Sequence, residues 1–351
     1  MKILYLITGL DIGGAEIQLL NVVSENIKRG YQCTVCSMTV PSTISSRFIE
    51  LGVEVISLDM TPGRPSISGM IKYIATLRNQ SPDIIHSHMV HANILSRFAK
   101  LIIKTPLINT AHSVNEGGIF IRMLYRMTKS IPDCFTHVSK DGFEYYIKER
   151  LAESSNFVHV NNGVTVDNDY TPKAKNDCLK FVHVARLEKV KNQLFLLEAI
   201  SYLTFDYELT IVGDGTMRQQ LESRAYELGI FNRVKFVGSV DNVSAFLKHA
   251  DCFLLSSDFE GLPIAVLEAM SHSLPIISTN VGDLSKLVSN HVNGFLSNDF
   301  SSESYAVLLT EFSSLDSNSI DSMRKKSHQI VLNNYSIHSV CNVWENIYKR
   351  F

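Results

Sequence analysis

The sequence predicts an α/β protein built from two doubly wound parallel-sheet domains. Three observations lead to this prediction: a length of 351 residues, short apolar segments that alternate with amphipathic segments of helical length, and a second start of the same alternation near residue 180. Nearly continuous apolar strands between helices are typical of a parallel sheet that is covered on both faces. At roughly 150 residues per domain, the length fits two domains that each bury a core.

The first half contains six predicted strands. They are short and β-branched, at 2–8, 32–37, 53–58, 84–87, 107–110 and 134–138. Helical periodicity lies between them, at 15–29, 66–79 and 90–103. We interpret the apolar start of the chain as a buried strand rather than a secretion signal, because Asp11 interrupts it and no small-residue cleavage site follows.

The second half repeats the pattern. Strands are predicted at 180–185, 208–212, 234–237, 252–256 and 275–278, with helices at 192–200, 216–228, 243–249 and 263–271. The segment 161–177 between the two halves is polar and irregular. We therefore expect an N-terminal domain over 1–162, a linker over 163–178, a C-terminal domain over 179–333, and a last helix within 334–351 that packs back toward the first domain.

The composition limits the possible functions. Lys and Arg total 33 against 35 Asp and Glu, which gives a net charge of −2, whereas proteins that bind nucleic acid usually carry a basic excess. No apolar run reaches the ~18–20 residues of a membrane-spanning helix. Six cysteines are scattered along the chain, and we interpret them, including the C-x-x-C of Cys33 and Cys36, as free thiols of a cytoplasmic protein.

The strongest functional signal lies in the segment 256–270. A predicted strand ends at Ser256, the following loop carries Glu260, and Pro263 stands where the first residue of a helix is expected. Unpaired backbone N–H groups and the positive end of the helix dipole make such a helix start a local site for phosphate. A carboxylate beside this helix start would repel a phosphate ligand, unless the carboxylate binds hydroxyl groups of that ligand. Glu260 and Glu268 therefore indicate a ligand with sugar or ribose hydroxyls.

The spacing of Glu260 and Glu268, Glu-x7-Glu within a strand, loop and helix, resembles the nucleotide-sugar motif of the family 4 glycosyltransferases, which have the GT-B fold. The turn at 185–193 resembles the basic loop of that family, whose equivalents of Arg186 and Lys191 bind the diphosphate. Two cations in a strand-to-helix turn also suit a diphosphate on physical grounds, because each ionic hydrogen bond contributes roughly 1.5–3 kcal/mol.

Weaker motifs extend this resemblance over almost the whole chain. Residues 213–215 resemble the V-G-x-G turn of the family, residues 236–238 resemble the strand end that faces the base, and residues 9–16 resemble the G-G-A-E loop near the donor phosphates and the acceptor. The chain departs from the family where G-G-x-x-E is common, because Asp283 replaces the second glycine and Lys286 the acid. This departure leaves the identity of the sugar open.

Several histidines are candidates for chemistry. His86 and His88 form an H-x-H at a strand end, and His91 and His112 follow. Such spacing can bind a metal ion, but no aspartate lies at a recognisable offset, so we expect no metal there. His112 matches the strand-end histidine that reaches the transferred sugar in the family, which favours a functional role. The D-x-D at 167–169 lies in the linker and is expected to be a solvated loop.

A basic and apolar stretch runs over 97–129. It contains Glu116 as its single acid, and its basic residues are Arg97, Lys100, Lys104, Arg122, Arg126 and Lys129. Apolar side chains that look exposed follow within 118–131, namely Phe120, Met123, Leu124, Tyr125 and Met127. Such a helix can lie on an anionic membrane, each basic residue adding roughly 1 kcal/mol, and some members of the family dock through this region. The alternative, an ordinary helix packed on the first sheet, remains open.

The resemblance implies a retaining glycosyltransferase that needs no metal or other cofactor. The enzyme would move a hexose or N-acetylhexosamine from a nucleotide diphosphate sugar, expected to be UDP-linked, to a glycan or lipid-linked acceptor in surface polysaccharide biosynthesis. The two domains would face an interdomain cleft, with the acceptor on the first-domain side, and the protein would touch the inner face of the membrane. The expected catalytic residues are His112 and Glu260; the expected donor-binding residues are Arg186, Lys191, Gly215, Val237, Gly261, Leu262, Pro263 and Glu268; and Gly13 and Gly14 form the loop at the phosphates and acceptor.

Three alternatives stay open. A nucleotide-sugar epimerase of the same fold would release an epimer without an acceptor. A non-catalytic partner that binds sugar or lipid would bind independently of nucleotide and would tolerate loss of Glu260. A metal-dependent hydrolase that uses His86 and His88 would contain stoichiometric metal.

Overall fold

The chain folds into two compact units, each built round a parallel sheet. The computed structural model describes residues 1–11, 13–40, 42, 44–61, 66–114 and 117–351. Unit 1 comprises Met1–Gly163 and Ile337–Phe351, and unit 2 comprises Val164–Ser336. Both sheets carry helices between successive strands. The predicted pair of doubly wound α/β sheets is thereby confirmed.

Unit 1 contains a seven-stranded sheet in the order β3-β2-β1-β4-β5-β6-β7 within its described residues. Its strands are β1 (Lys2–Ile7), β2 (Gln32–Ser37), β3 (Glu54–Ser57), β4 (Ile84–His88), β5 (Leu107–Ala111), β6 (Cys134–His137) and β7 (Phe157–His159). Its helices are α1 (Gly14–Lys28), α2 (Ser45–Glu50), α3 (Ile67–Gln80), α4 (Val90–Lys100), α5 (Ile119–Thr128), α6 (Lys140–Lys148) and, from the end of the chain, α14 (Ile337–Tyr348). The sequence did not predict the three-residue strand β7.

Unit 2 contains a six-stranded sheet in the order β10-β9-β8-β11-β12-β13. Its strands are β8 (Leu179–Val184), β9 (Tyr207–Val212), β10 (Val234–Gly238), β11 (Cys252–Leu255), β12 (Ile276–Thr279) and β13 (Gly294–Ser297). Its helices are α7 (Gln193–Ser201), α8 (Arg218–Glu227), α9 (Ser244–His249), α10 (Ile264–Ser271), α11 (Leu284–Leu287), α12 (Ser302–Ser314) and α13 (Ser317–Asn334), with 3₁₀ turns at Lys189–Lys191 and Phe231–Arg233. Strand β13 was also unpredicted, because it begins at an Asn-Gly pair that is typical of a turn.

Each sheet has a point at which the strand order reverses. In unit 1 the reversal lies between β1 and β4, and in unit 2 it lies between β8 and β11. Successive crossovers leave such a point in opposite directions, which opens a crevice at the carboxyl ends of the two strands, where open α/β sheets bind ligands. The loops after β1 and β4, and those after β8 and β11, are therefore the places to look for function.

The helix α14 forms part of the core of unit 1. Its side chains Val340, Cys341, Trp344, Ile347 and Tyr348 are buried with residues of the first sheet. They recur at the i, i+3 and i+4 spacing of one helix face. Burying a large apolar side chain contributes roughly 1.5–3 kcal/mol. The helix is therefore a structural member of unit 1, although unit 2 precedes it in the sequence.

Unit 2 contains a buried ion pair between α13 and the start of β11. Arg324 Nη2 lies 2.9 Å from Asp251 Oδ1, and their side chains are 2% and 0% exposed. The other carboxylate oxygen of Asp251 accepts from Asn176 Nδ2 at 2.8 Å and from the Lys180 N–H at 3.0 Å. The Arg324 guanidinium also donates to the carbonyl of Lys173. The pair thus attaches segment 173–180 to the body of unit 2.

The six cysteines are free, as the sequence predicted. Cys33 and Cys36 lie on β2, where residues three apart face opposite sides of the strand. Burial raises the pKa of each thiol to about 12. The C-x-x-C of this chain therefore holds protonated thiols at neutral pH.

Candidate functional site

The loops after β8 and β11 bring a cation and a carboxylate together. Lys191 Nζ lies 2.7 Å from Glu260 Oε1, and Ser257 Oγ donates to the same oxygen at 2.6 Å. Glu260 is buried, and the Lys191 side chain is 20% exposed. A partly buried ion pair is screened less by solvent than a surface pair. The two side chains thus form a fixed, charged pair at the reversal point of the sheet.

Hydrogen bonds attach the turn that carries Lys191 to the loop that carries Glu260. The Asp258 N–H donates to the Val190 carbonyl at 2.9 Å, and Ser256 Oγ donates to the Lys191 carbonyl at 2.8 Å. Asn192 has the left-handed conformation, with φ of 47°, and its amide donates to Asp258 Oδ1 at 2.7 Å. Because these bonds hold both segments, the charges of Lys191 and Glu260 are set in place before any ligand binds.

The glycines of the 213–215 turn are required by close backbone packing. A Cβ on Gly213, where φ is 133°, would lie 2.0 Å from the Ala185 carbonyl oxygen. A Cβ on Gly215 would lie 2.4 Å from the Leu187 carbonyl oxygen. These glycines therefore allow the loop after β9 to lie directly against the loop after β8. Their proposed contact with the donor stays a prediction.

Arg186 and Val237 lie near this turn. Their side chains form no hydrogen bond or ion pair with the described residues. Arg186 is exposed, and its guanidinium forms no ion pair within the described part of unit 2, whereas its carbonyl accepts from Gln193 Nε2 at 2.9 Å. Val237 is half-buried on β10. The structure thus leaves the Arg186 side chain exposed to solvent.

The helix α10 begins one residue later than predicted. Pro263 is the N-cap, with an extended ψ of 117°, and the first helical residue is Ile264. The expectation that Pro263 is the first helical residue is therefore wrong. The first bonds of the helix are donated by the Val266 and Leu267 N–H groups to the Pro263 carbonyl, so the N–H groups of Ile264 and Ala265 precede the ladder of helical bonds. Gly261 is half-buried, Leu262 is buried, and Glu268 is half-buried in the second turn of α10.

The segment in which the chain departs from the family packs on the Glu260 loop. Gly282 has φ of 55°, and a Cβ there would lie 2.3 Å from the Glu260 carbonyl oxygen. The Asp283 N–H donates to the Gly261 carbonyl at 3.1 Å. Asp283 is buried and forms an ion pair with Lys286. The replacement pair thus lies directly behind the loop that carries Glu260.

In unit 1, the glycine pair lies at the start of α1. Gly13 is the N-cap and Gly14 is the first, exposed residue of the helix. A Cβ on Gly13 would lie 2.5 Å from Glu16 Oε2, so the buried Glu16 carboxylate takes the space that a side chain at 13 would need. Ile12, which belongs to the same motif, lies outside the described residues, as does Glu116.

Three histidines meet at the carboxyl ends of β4 and β5. His88 Nδ1 lies 3.0 Å from His112 Nε2, and the rings of His86 and His88 are 4.2 Å apart. His86 contacts Tyr348 OH at 2.9 Å and Thr110 Oγ1 at 2.7 Å through its two ring nitrogens. Burial lowers the pKa of His86 and of His112 to about 3, and it lowers the pKa of His88 well below its usual value. All three rings are therefore neutral at physiological pH.

The sequence did not single out His137, which ends β6. The Ser139 N–H donates to its Nδ1 at 3.0 Å, and its Nε2 lies 3.2 Å from the Ser113 carbonyl oxygen, next to His112. A Cβ on Gly142 would lie 1.8 Å from the ring of His137. The sequence contained a signal for this residue, because β6 ends in a histidine just as β4 does.

The fourth candidate histidine and the D-x-D are both on the surface, the latter as predicted. His91 is exposed on α4, and residues 167–169 form an exposed loop. Over the described ranges, no group of three His, Cys, Asp or Glu side chains is placed to hold a metal ion.

The basic stretch is only partly on the surface. Arg97 is fully buried; its Nε donates to Asn109 Oδ1 at 2.7 Å, and its guanidinium carbon lies 4.2 Å from the centre of the Tyr125 ring. The expectation that Arg97 and Tyr125 belong to an exposed basic, apolar face is therefore wrong, because the two residues pack on each other inside unit 1. The exposed large apolar side chains of α5 are Ile119, Phe120, Met123 and Met127, and those of the end of α4 and the residues after it are Phe98, Leu101 and Ile102.

The two tandem parallel sheets, each with one reversal of strand order, agree with the GT-B fold that the sequence motifs indicated. A model of the glycosyl transferases group 1 family matches residues 169–330, and a model of Glycosyltransferase Family 4 matches residues 12–168. The chain therefore belongs to the family 4 glycosyltransferases and is a glycosyltransferase, as the motifs indicated.

Characterised relatives are similar over most of their length. The capsular polysaccharide biosynthesis glycosyltransferase CapH of Staphylococcus aureus is 26% identical over 303 residues, which are 82% of this chain and 83% of the relative. The Campylobacter jejuni alpha-1,4-N-acetyl-D-galactosaminyltransferase, whose name specifies a diphosphate-linked undecaprenol saccharide, is 28% identical over 313 residues, or 84% of each chain.

Solved structures share the fold. The crystal structure of Anabaena HepE in complex with UDP-glucose covers 100% of both chains, with a TM-score of 0.85 and 18% identity. This likeness confirms the GT-B architecture of the two units.

Proposed function

We propose that the protein is a retaining glycosyltransferase that moves a hexose or N-acetylhexosamine from a UDP-linked donor to a glycan or lipid-linked saccharide in surface polysaccharide assembly. The observation that carries the proposal is the Lys191–Glu260 pair, 2.7 Å apart where the loops after β8 and β11 meet. The relatives named for capsule and undecaprenol-linked saccharides, and the neighbour that binds UDP-glucose, supply the substrate class.

In the proposed reaction, the donor diphosphate lies beside Lys191 and the start of α10. Fixed cations and amide dipoles stabilise the negative charge that grows on a leaving group without reorganising during the step. Lys191, Arg186 and the first N–H groups of α10 would do this work in place of a metal ion. Glu260 would accept hydrogen bonds from sugar hydroxyls, and Glu268 from the ribose. Gly215, Val237, Gly261 and Leu262 would line the donor site.

Unit 1 would supply the acceptor side. The Gly13-Gly14 loop at the start of α1 would admit the acceptor, and His112 would contact the transferred sugar. Because burial lowers the pKa of His112 to about 3, the ring of the free protein is neutral at physiological pH. A neutral ring tolerates the positive charge that develops at the anomeric carbon, whereas an imidazolium would repel it.

A donor panel tests this function. We expect one UDP-sugar to raise the melting temperature of the full-length protein, since a bound ligand stabilises the folded state by mass action. With that donor and a lipid-linked saccharide, UDP release should continue in EDTA, and the new linkage should keep the anomeric configuration by NMR. Free epimer from donor alone, or turnover lost in EDTA, would contradict the proposal.

We also propose that the enzyme reaches a lipid-linked acceptor by lying on an anionic membrane through α5 and the end of α4. Ile119 and Met127 are 78% and 72% exposed, so the face offers large apolar side chains for insertion. Two of its cations are already paired, Arg126 with Glu149 at 2.9 Å and Lys129 with Glu153 at 3.2 Å. Insertion of apolar side chains, rather than charge, should therefore dominate. No helix in the described ranges has the length and apolarity needed to cross a bilayer.

Vesicle sedimentation tests this surface. We expect the protein to sediment with vesicles of phosphatidylglycerol and phosphatidylethanolamine, and Met127→Glu to reduce the bound fraction severalfold. Val307→Glu is the matched control, because Val307 is 64% exposed on α12, which belongs to unit 2. Equal loss in both variants, or no sedimentation of the natural sequence, would exclude α5 as the contact.

A further inference from the structure

His88 has no role in the reaction proposed above, yet its ring contacts His112. Its Nδ1 lies 3.0 Å from His112 Nε2, and its side chain is 1% exposed at the end of β4. The ring of His86 covers one side of it at 4.2 Å. The contact is thus buried and lies beside the reversal point of the first sheet.

The hydrogen-bond partners of His88 determine where its proton resides. Its Nε2 is buried and has no hydrogen-bond partner among the described residues. A buried N–H without an acceptor is rarer and more costly than a buried lone pair without a donor. The proton therefore belongs on Nδ1, which then donates to His112 Nε2. His112 must in turn carry its own proton on Nδ1.

The backbone beside His88 is held in an unusual conformation. Met89, the next residue, has φ of 73° and ψ of 159°, a region that residues with a side chain rarely adopt. Its N–H donates to the Thr110 carbonyl at 3.1 Å, two residues before His112. Such a conformation costs roughly 1–3 kcal/mol and persists only where the surroundings impose it. The hydrogen bond from Met89 to Thr110 thus fixes the position of His88 along its strand relative to His112.

We propose that His88 is a positioning residue for glycosyl transfer: its Nδ1–H holds His112 in the Nδ1-protonated tautomer and in one ring orientation. This inference rests on the proposed contact of His112 with the transferred sugar. The donor nucleotide is assigned to unit 2, so His88 should affect the chemical step and leave donor binding alone.

Steady-state kinetics of three full-length variants tests the proposal. His88→Phe keeps a planar ring but cannot donate, and we expect kcat to fall about 10- to 100-fold with an unchanged KM for the donor, because misplacing a contact group impairs the reaction geometry. His88→Asn places an amide N–H near the position of Nδ1 and should recover most of kcat. Tyr348→Phe, the matched control, removes a hydroxyl that contacts His86 rather than His112, and should keep kcat.

Three kinetic results would overturn the proposal: a folded His88→Phe with full kcat, a His88→Asn variant as impaired as His88→Phe, or an equal loss in Tyr348→Phe. The last would indicate a general disturbance of the buried network. Circular dichroism establishes folding of each variant.

NMR of ¹⁵N-histidine-labelled protein tests the tautomer without any activity assay. We expect the His112 signals, assigned by their loss in His112→Gln, to show a protonated Nδ1 and a bare Nε2. A protonated Nε2 would overturn the proposal, and this spectrum decides the matter if His88→Phe does not fold. Full activity of His112→Gln would refute the proposed role of His112 while the spectrum still reports on His88, so the two failures are distinguishable.

Discussion

We expect Lys191→Ala to lower kcat by about 10²- to 10³-fold, the range found when one preorganised electrostatic group is removed from a transition state, or roughly 2.7–4 kcal/mol. The reason is geometric. The Lys191 N–H donates to the Glu188 carbonyl, its carbonyl accepts from Ser256 Oγ, and its Nζ lies 2.7 Å from Glu260 Oε1. In the proposed reaction, its charge would therefore stand beside the departing diphosphate without reorganisation. Initial rates of UDP release at saturating donor would measure the loss.

Lys189→Ala is the matched control for this experiment. Lys189 lies in the same 3₁₀ turn as Lys191 but is exposed, and it forms no ion pair within the residues that the structure describes. The substitution removes the same charge from the same turn, and kcat should stay within about twofold, as for surface charges screened by solvent. Comparable losses in both variants would show a general field effect, and full activity of Lys191→Ala would remove Lys191 from the mechanism.

Glu260→Gln should resemble Lys191→Ala, because it breaks the same pair.

Arg324→Met is expected to destabilise unit 2 by about 3 kcal/mol, the lower end of the usual cost of breaking a buried ion pair, because Lys173 Nζ also lies 3.8 Å from Asp251 Oδ1. Asp251 is 0% exposed, so solvent cannot replace the guanidinium. The substitution also removes the donor to the Lys173 carbonyl. Segment 173–180 would then be attached less firmly to α13.

Urea unfolding distinguishes the two units in this experiment. Trp344 is the chain's one tryptophan and lies in the core of unit 1, so its fluorescence reports unit 1, whereas far-UV circular dichroism reports both units. For Arg324→Met we expect the dichroism transition to begin at lower urea than the fluorescence transition. Lys325→Met, a neighbouring exposed lysine, should behave as the natural sequence does. Identical midpoints for the two variants would contradict the assigned strength of the buried pair.

The sequence predicted the elements that are encoded locally. Strands such as β2 were placed at their observed bounds, because a β-branched run between turn residues determines a strand from neighbours alone. The meeting of Lys191 and Glu260 followed from topology, since adjacent parallel strands end at the same edge of a sheet. The start of α10 was misplaced by one residue, because Pro263 has a φ that suits both the cap and the first helical position.

The errors at buried polar groups have a different cause, contacts between distant segments of the chain. Arg97 looked like a surface charge, because nothing near it in the sequence shows that Asn109 and the Tyr125 ring would receive its guanidinium. The link from His88 to His112 likewise depends on the pairing of β4 with β5. Charge and hydropathy patterns report which face of an element is polar, but they do not report which distant group satisfies a buried polar atom.

The place of α14 in unit 1 has a consequence for synthesis. Its residues leave the ribosome only after the whole of unit 2, yet Trp344 and Tyr348 complete the interior of unit 1. Until α14 has been synthesised, unit 1 therefore lacks one helix of its core and exposes the apolar side chains that α14 covers. Unit 2 has all of its strands once Ser336 has been synthesised. Unit 2 can thus complete its fold before unit 1 does.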